Sequence, residues 1–207
     1  MGLTEYLAFL LIAIVATASP GPAVLLAVTN AVTHGIKPTV IAILGNVLGV
    51  ILLAAVTSAG LGALMQTSEL VFQLVKWVGG IYLIYLGVRL WKMQVTPVPE
   101  SGATRKSPTP RQLFRQAFIV AVTNPKAIAF ITALFPQFIE PTALMAPQFA
   151  LLAGTFGLLS FLFLLGYALL ASRSSRCFLK SHLMRRFNRV SGGLFVGLGS
   201  LLITTER

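Results

Sequence analysis

Two short stretches hold most of the residues in this chain that can bind a polar solute, Ser19-Pro20-Gly21-Pro22 and Asn124-Pro125-Lys126. Both lie inside long apolar runs. Pro20 and Pro22 each lack a backbone donor and clash with the preceding turn, and Gly21 favours neither helix nor strand, so a helix must break there. In hydrocarbon such a break survives only where freed carbonyls meet neighbouring protein or a water-filled cavity. Freed amides and carbonyls suit the carboxylate and ammonium of a small zwitterion. Lys126 stands about twelve residues into its run. An ammonium at the bilayer centre costs on the order of 2.5–3.5 kcal/mol by insertion scales. It is therefore expected to be paired or wetted, to bind a solute carboxylate or to carry a proton. The plainer alternative is that its long stem snorkels to an interface.

Asn46 is a further candidate contact for a solute. It lies between Gly45 and Gly49, a spacing that also serves close helix packing. Tyr82, Tyr85, Gln137, Trp77 and Trp91 read better as packing or interfacial residues.

The elements that carry these residues follow from composition. The 207 residues are 56% hydrophobic and 10% charged, against about 25% charged in soluble domains. A water-soluble globule of this composition would expose too much apolar surface, so the fold expected is an all-α membrane protein. A span needs about 20 apolar residues, and six runs qualify: 6–28, 39–61, 70–90, 114–138, 149–171 and roughly 187–203. The last is short enough to be re-entrant. The first has no basic residue ahead of it, so it is kept as a span and not read as a cleaved leader.

Net charge is +11, but the basic residues sit between apolar runs, which argues for membrane topology and against nucleic acid. Thirteen of the sixteen Lys and Arg fall in or beside the first, third and fifth connections. The positive-inside bias puts those connections in the cytoplasm and both termini outside. Residues 92–112, rich in Pro, Ser and Thr, read as a flexible tether between halves 1–91 and 113–207. Between Arg173 and Arg189, apolar residues at helical spacing suggest a short interfacial helix or a solvated basic loop.

The halves resemble each other. Ser19-Pro20 matches Asn124-Pro125, and Val78, Gly80, Leu86 and Gly87 recur at the spacing of Val190, Gly192, Leu198 and Gly199. With three spans per half, the second half enters the membrane in the opposite sense. The expected architecture is two inverted three-helix repeats with broken first and fourth helices, a solute site lying between the breaks.

Several chemistries are excluded. The spans hold no Asp and no deep Glu, Cys177 is the single cysteine, and His34 and His182 lie in connections, so no metal site is expected. No phosphate-binding Gly-Lys-Ser/Thr loop appears, and no hydrolytic triad can be assembled. Neither an enzyme nor a cofactor is expected.

With Ser19-Pro20-Gly21-Pro22, Gly45 and Gly49, the Gly79-to-Gly87 pattern and Asn124-Pro125-Lys126, the chain resembles the lysine exporter (LysE) superfamily over nearly its whole length. It is most similar to the homoserine/threonine exporter (RhtB-like) branch. The resemblance implies a bacterial inner-membrane exporter of amino acids or close derivatives, driven by proton exchange. Many relatives carry an acidic or amide residue where this chain has Ala23, directly after Pro-Gly-Pro. The absence of a buried carboxylate favours neutral amino acids over dibasic ones and leaves an uncoupled channel or a lipid-handling protein as the alternative. Expected partners are the solute and the bilayer; a homodimer is compatible with the sequence but not required by it.

Overall fold

The computed structural model describes residues 1–67, 69–92, 108–140, 142–173 and 181–204, and among these every regular element is helical. In chain order they are α1 (Leu3–Ala18), α2 (Pro22–His34), α3 (Ile36–Thr67), α4 (Glu69–Lys92), α5 (Pro110–Val122) and α6 (Pro125–Leu134). A 3-10 turn (Phe135–Phe138), α7 (Met145–Arg173) and α8 (Ser181–Thr204) complete the fold.

Proline sets the interruptions. α1 and α2 meet at a bend of 52°, α5 and α6 at 48°. Pro22 and Pro125 each take a first-turn position, where no N–H is needed. α2 ends at Gly35, whose φ of 82° suits a residue without a side chain. α3 over Ile36–Ser58 and the whole of α7 are long and apolar enough to cross a membrane, and each bent pair qualifies when taken together. α4 and α8 carry shorter apolar stretches, Trp77–Arg89 and Gly192–Thr204.

Two boundaries differ from the sequence reading. α5 already begins at Pro110, because Thr109 and Gln112 form a reciprocal cap there. The expected tether thus gives its last residues to a helix, and 93–107 lie outside the described residues. The interfacial helix expected between Arg173 and Arg189 is not a separate element among the described residues. α7 runs to Arg173, 174–180 lie outside the described residues, and from Ser181 the chain is the opening of α8. No proline separates Ser181 from the apolar stretch, so helix continues straight into it.

α3 is apolar on both sides. On α3, Ile43, Val50 and Ala54 are buried while Leu44, Leu48 and Leu52 are exposed. In a water-soluble bundle the outer face would be polar; here it suits lipid. Inside, Phe130 stacks on Phe156 at 4.7 Å and Phe9 meets Phe135 edge-on at 5.5 Å. This aromatic cluster fills the half of the bundle that holds α1 and α6. The Met1 ammonium lies 2.8 Å from a Glu140 carboxylate oxygen, so the start of α1 and the end of the 3-10 turn share one end of the molecule.

Glycines let backbones touch. A methyl group on Gly87 would stand 2.5 Å from the Gly192 carbonyl oxygen, and one on Gly192 would stand 2.6 Å from that of Gly87. Gly80 and Gly199 pair in the same reciprocal way. α4 and α8 therefore cross antiparallel with their main chains in contact, as small residues allow in membranes. Gly45 and Gly49 bring α3 equally close to α5, against the Phe114 and Phe118 carbonyls.

Candidate solute site at the paired helix breaks

Pro20 and Pro22 cannot donate, so the carbonyls of Ala16 and Ala18, four residues earlier, lose their helical partners. Both are satisfied by side chains. The Ser19 hydroxyl donates to the Ala16 carbonyl at 2.9 Å. The Tyr167 hydroxyl, from α7, donates to the Ala18 carbonyl at 2.7 Å. Ser19 itself is fully buried and extended, with its N–H bonded to the Val15 carbonyl at 3.0 Å. Its own carbonyl is turned toward the second break.

That break is held by Asn124, whose side-chain oxygen accepts the Lys126 N–H at 3.1 Å and caps α6. The cap fixes Lys126 in the first turn, and its side chain crosses to α1. Nζ donates to the Ser19 carbonyl at 2.6 Å and to the Ser19 hydroxyl at 3.0 Å. A cation is disfavoured at the N-terminus of its own helix but favoured at the C-terminal end of another; the ammonium of Lys126 has reached the C-terminal end of α1. Gly21 makes room for it, since a methyl there would stand 3.3 Å from Nζ. Among the described residues the only ion pair is that of Met1 with Glu140. The partners of Lys126 are a carbonyl and a hydroxyl, with no carboxylate among them.

Ser19, Gly21, Asn124 and Lys126 are thus brought together. Pro20 is buried between them, Pro22 is exposed at the start of α2, and Pro125 starts α6. Asn46 stands apart: it is buried on α3 and accepts a hydrogen bond from the Ser160 hydroxyl of α7 at 3.2 Å. With Asn30 of α2 it borders a small pocket of about 10 Å³ lined by residues of α2, α3, α5 and α7. Trp91 bonds the Arg189 carbonyl at 2.7 Å, joining α4 to α8, in keeping with a packing role. A second, apolar groove of about 550 Å³ lies between α4 and α6, bordered by Val78, Tyr82, Pro125 and Ile128.

Tyr167 and Asn30 are absent from the sequence reading. A phenol inside an apolar run, close to its end, was the available signal for Tyr167. Asn30 lies two residues beyond where the first run was taken to end, because that run was measured by hydropathy and α2 continues to His34.

Broken apolar helices, glycine crossings and a lysine bridging two breaks define a multi-pass membrane protein with a polar contact between its two bent helix pairs. The chain belongs to the LysE type translocator family, which it matches over residues 14–206, and it is not an enzyme. It is 34% identical over 206 residues, spanning the whole of both chains, to a membrane protein of Vibrio cholerae serotype O1. It is 32% identical over 201 residues, 97% of each chain, to the homoserine/homoserine lactone efflux protein of Salmonella typhimurium. It is 32% identical over 209 residues, 99% of this chain and 97% of the relative, to the leucine efflux protein of Salmonella choleraesuis. No solved structure matches it.

Proposed function

We propose that this protein exports neutral amino acids or close derivatives, of the homoserine, threonine or leucine type, across the bacterial inner membrane. The observation that carries the proposal is the contact of Lys126 Nζ with the Ser19 carbonyl at 2.6 Å. A zwitterion is the solute that can replace both halves of that contact. Its carboxylate takes the place of Ser19 on the ammonium, and its own ammonium takes the place of Lys126 on the carbonyl. Two of the three donors of the Lys126 ammonium are engaged by Ser19, so a carboxylate can approach before the contact parts. Binding then converts a closed bridge into two separate half-sites, one on each break, and the breaks can part.

The architecture proposed is six spans in two inverted repeats, residues 1–91 and 113–207, joined by 92–112. The glycine contacts support it. By sequence Gly80 corresponds to Gly192 and Gly87 to Gly199, yet Gly80 meets Gly199 and Gly87 meets Gly192. Crosswise exchange of equivalent positions is what a two-fold axis between α4 and α8 produces. Basic connections on one side then place both termini in the periplasm, and Lys126 is the residue proposed to carry the exchanged proton. Ser19, Gly21, Asn124 and Lys126 form the site, with Pro20, Pro22 and Pro125 holding it open and Asn46 a separate candidate contact on α3.

The apolar groove beside Pro125 favours a second reading, an uncoupled or lipid-handling pathway. Purified protein in proteoliposomes separates the two. Homoserine or leucine efflux that accelerates with an imposed proton gradient supports exchange. Flux that ignores the gradient leaves the uncoupled reading, and no amino-acid flux at all leaves the lipid one.

A further inference from the structure

The apolar groove between α4 and α6 takes no part in the Lys126–Ser19 contact, and the helix face that forms one of its walls ends in charge. The groove measures about 550 Å³. Pro125, Ile128 and Thr132 of α6 line one side, and Leu74, Val78 and Tyr82 of α4 line the other, each set at the spacing of a single helix face. Leu74 is 56% exposed and Val78 67%, so in a bilayer the groove opens sideways onto hydrocarbon. Followed along α4, the face that carries Val78 and Tyr82 continues through Tyr85 to Arg89 and Lys92. The Tyr82 and Tyr85 rings lie 5.8 Å apart. Arg89 and Lys92 stand exposed in the last turn, and neither has a carboxylate partner among the described residues. Glu69 begins α4 at its opposite end.

The lengths agree with a lipid. At ~1.5 Å per residue, Leu74 and Arg89 are about 22 Å apart along α4. One leaflet of a bilayer that is about 40–45 Å thick with its headgroups is about 20–22 Å deep. A phospholipid whose phosphate meets Arg89 and Lys92 can therefore lay an acyl chain past the two tyrosines and along the groove to Leu74.

We propose that the α4–α6 groove is the binding site of one resident phospholipid with an anionic headgroup, its acyl chain between Val78 and Ile128 and its phosphate at Arg89 and Lys92. Charge complementarity selects the headgroup: basic side chains at the membrane surface attract anionic lipids, and a zwitterionic lipid brings an ammonium of its own to the two cations. The apolar walls select a lipid over a free phosphate. The site is separate from the exporter reading above, because the solute does not enter it, and it holds whether or not transport is coupled to protons.

Tryptophan supplies the readout, since Trp77 is exposed beside Val78. The full chain is placed in phosphatidylcholine vesicles in which a tenth of the lipid carries bromine on its acyl chains, as either phosphatidylglycerol or phosphatidylcholine. Bromine quenches tryptophan on contact. Brominated phosphatidylglycerol is expected to quench the more strongly, through a preference for the groove of about tenfold or more conferred by the two basic groups. Arg89→Gln together with Lys92→Gln should make the two lipids quench equally. Thr132→Phe fills the groove from α6 and should do the same with both charges in place. The Thr132 hydroxyl bonds the Ile128 carbonyl of its own helix, so no hydrogen bond between helices is lost. Equal quenching by both lipids in wild type, as a groove covered by a second copy of the chain would give, overturns the inference. A preference that survives either set of substitutions overturns it as well, because the lipid would then gather at a diffuse basic collar and not in the groove. Should Thr132→Phe fail to fold, Ile128→Phe fills the same groove and is read in the same way. No flux enters this measurement, so its failure leaves the exporter reading standing.

Discussion

The Lys126 ammonium lies 2.6 Å from the Ser19 carbonyl oxygen, and that contact joins the C-terminal end of α1 to the N-terminal end of α6. Both partners exist because of proline. Pro20 and Pro22 end α1 so that a carbonyl is offered sideways, and Pro125 restarts the second helix so that Lys126 falls in its first turn.

Replacing Pro20 and Pro22 together with Ala gives the Ala16 and Ala18 carbonyls the N–H donors they lack. α1 should then run on into α2, turning the Ser19 carbonyl back into the helix. Expression and thermal midpoint are expected to hold or rise, and amino-acid efflux to fall to background. Flux and midpoint measured on the same preparation check this, and normal flux would count against the break as the solute path.

Tyr167→Phe removes the donor to the Ala18 carbonyl. An acceptor left unpaired in a buried place costs about 1–3 kcal/mol, so the thermal midpoint should fall. Pro22→Ala supplies an N–H to that same carbonyl. The double variant should therefore lose less than the sum of the single losses, a coupling that a double-mutant cycle reads directly.

At the α4–α8 crossing, Gly192→Ala forces a methyl against the Gly87 carbonyl and the Trp91 ring. Overpacking of this kind costs about 1–3 kcal/mol, and detergent-solubilised protein should melt earlier. Gly154→Ala is the control, since nothing lies within 4 Å of a methyl there. Its midpoint should hold or rise, in line with the better helix propensity of Ala.

The hydrogen bond and charge of the Met1 ammonium hold the Glu140 carboxyl below the ordinary glutamate range. A depressed carboxyl contributes stability that is present above its unfolded pKa and lost as pH falls through its folded one. The pairing should therefore leave the midpoint flat at neutral pH and lower it only in acid. Because Glu140 is exposed the effect is small. Glu140→Gln should remove this acid-side component and leave the neutral-pH midpoint almost unchanged.

Much of this site was legible in the sequence because proline acts locally: its missing N–H breaks a helix whatever surrounds it. Lys126 was legible as an anomaly, a charge too costly to leave facing lipid. What could not be read was which distant group answers each freed carbonyl. Tyr167 meets Ala18 across 149 positions, and no local rule links them. Asn46 was legible as a buried polar residue, but its partner Ser160 was not. Asn30 escaped because the end of an apolar run is not the end of a helix. The repeated glycines were visible as a pattern, while their crosswise pairing required the packed helices.

The most direct measurement is efflux of labelled homoserine from proteoliposomes carrying Lys126→Met, beside wild type at matched protein and matched thermal midpoint. Methionine keeps most of the stem and removes the ammonium, so the breaks stay packed while the solute carboxylate loses its partner. Flux at background with an unperturbed fold is the expected result. Flux at the wild-type rate would contradict a transport path that runs through the Lys126–Ser19 contact.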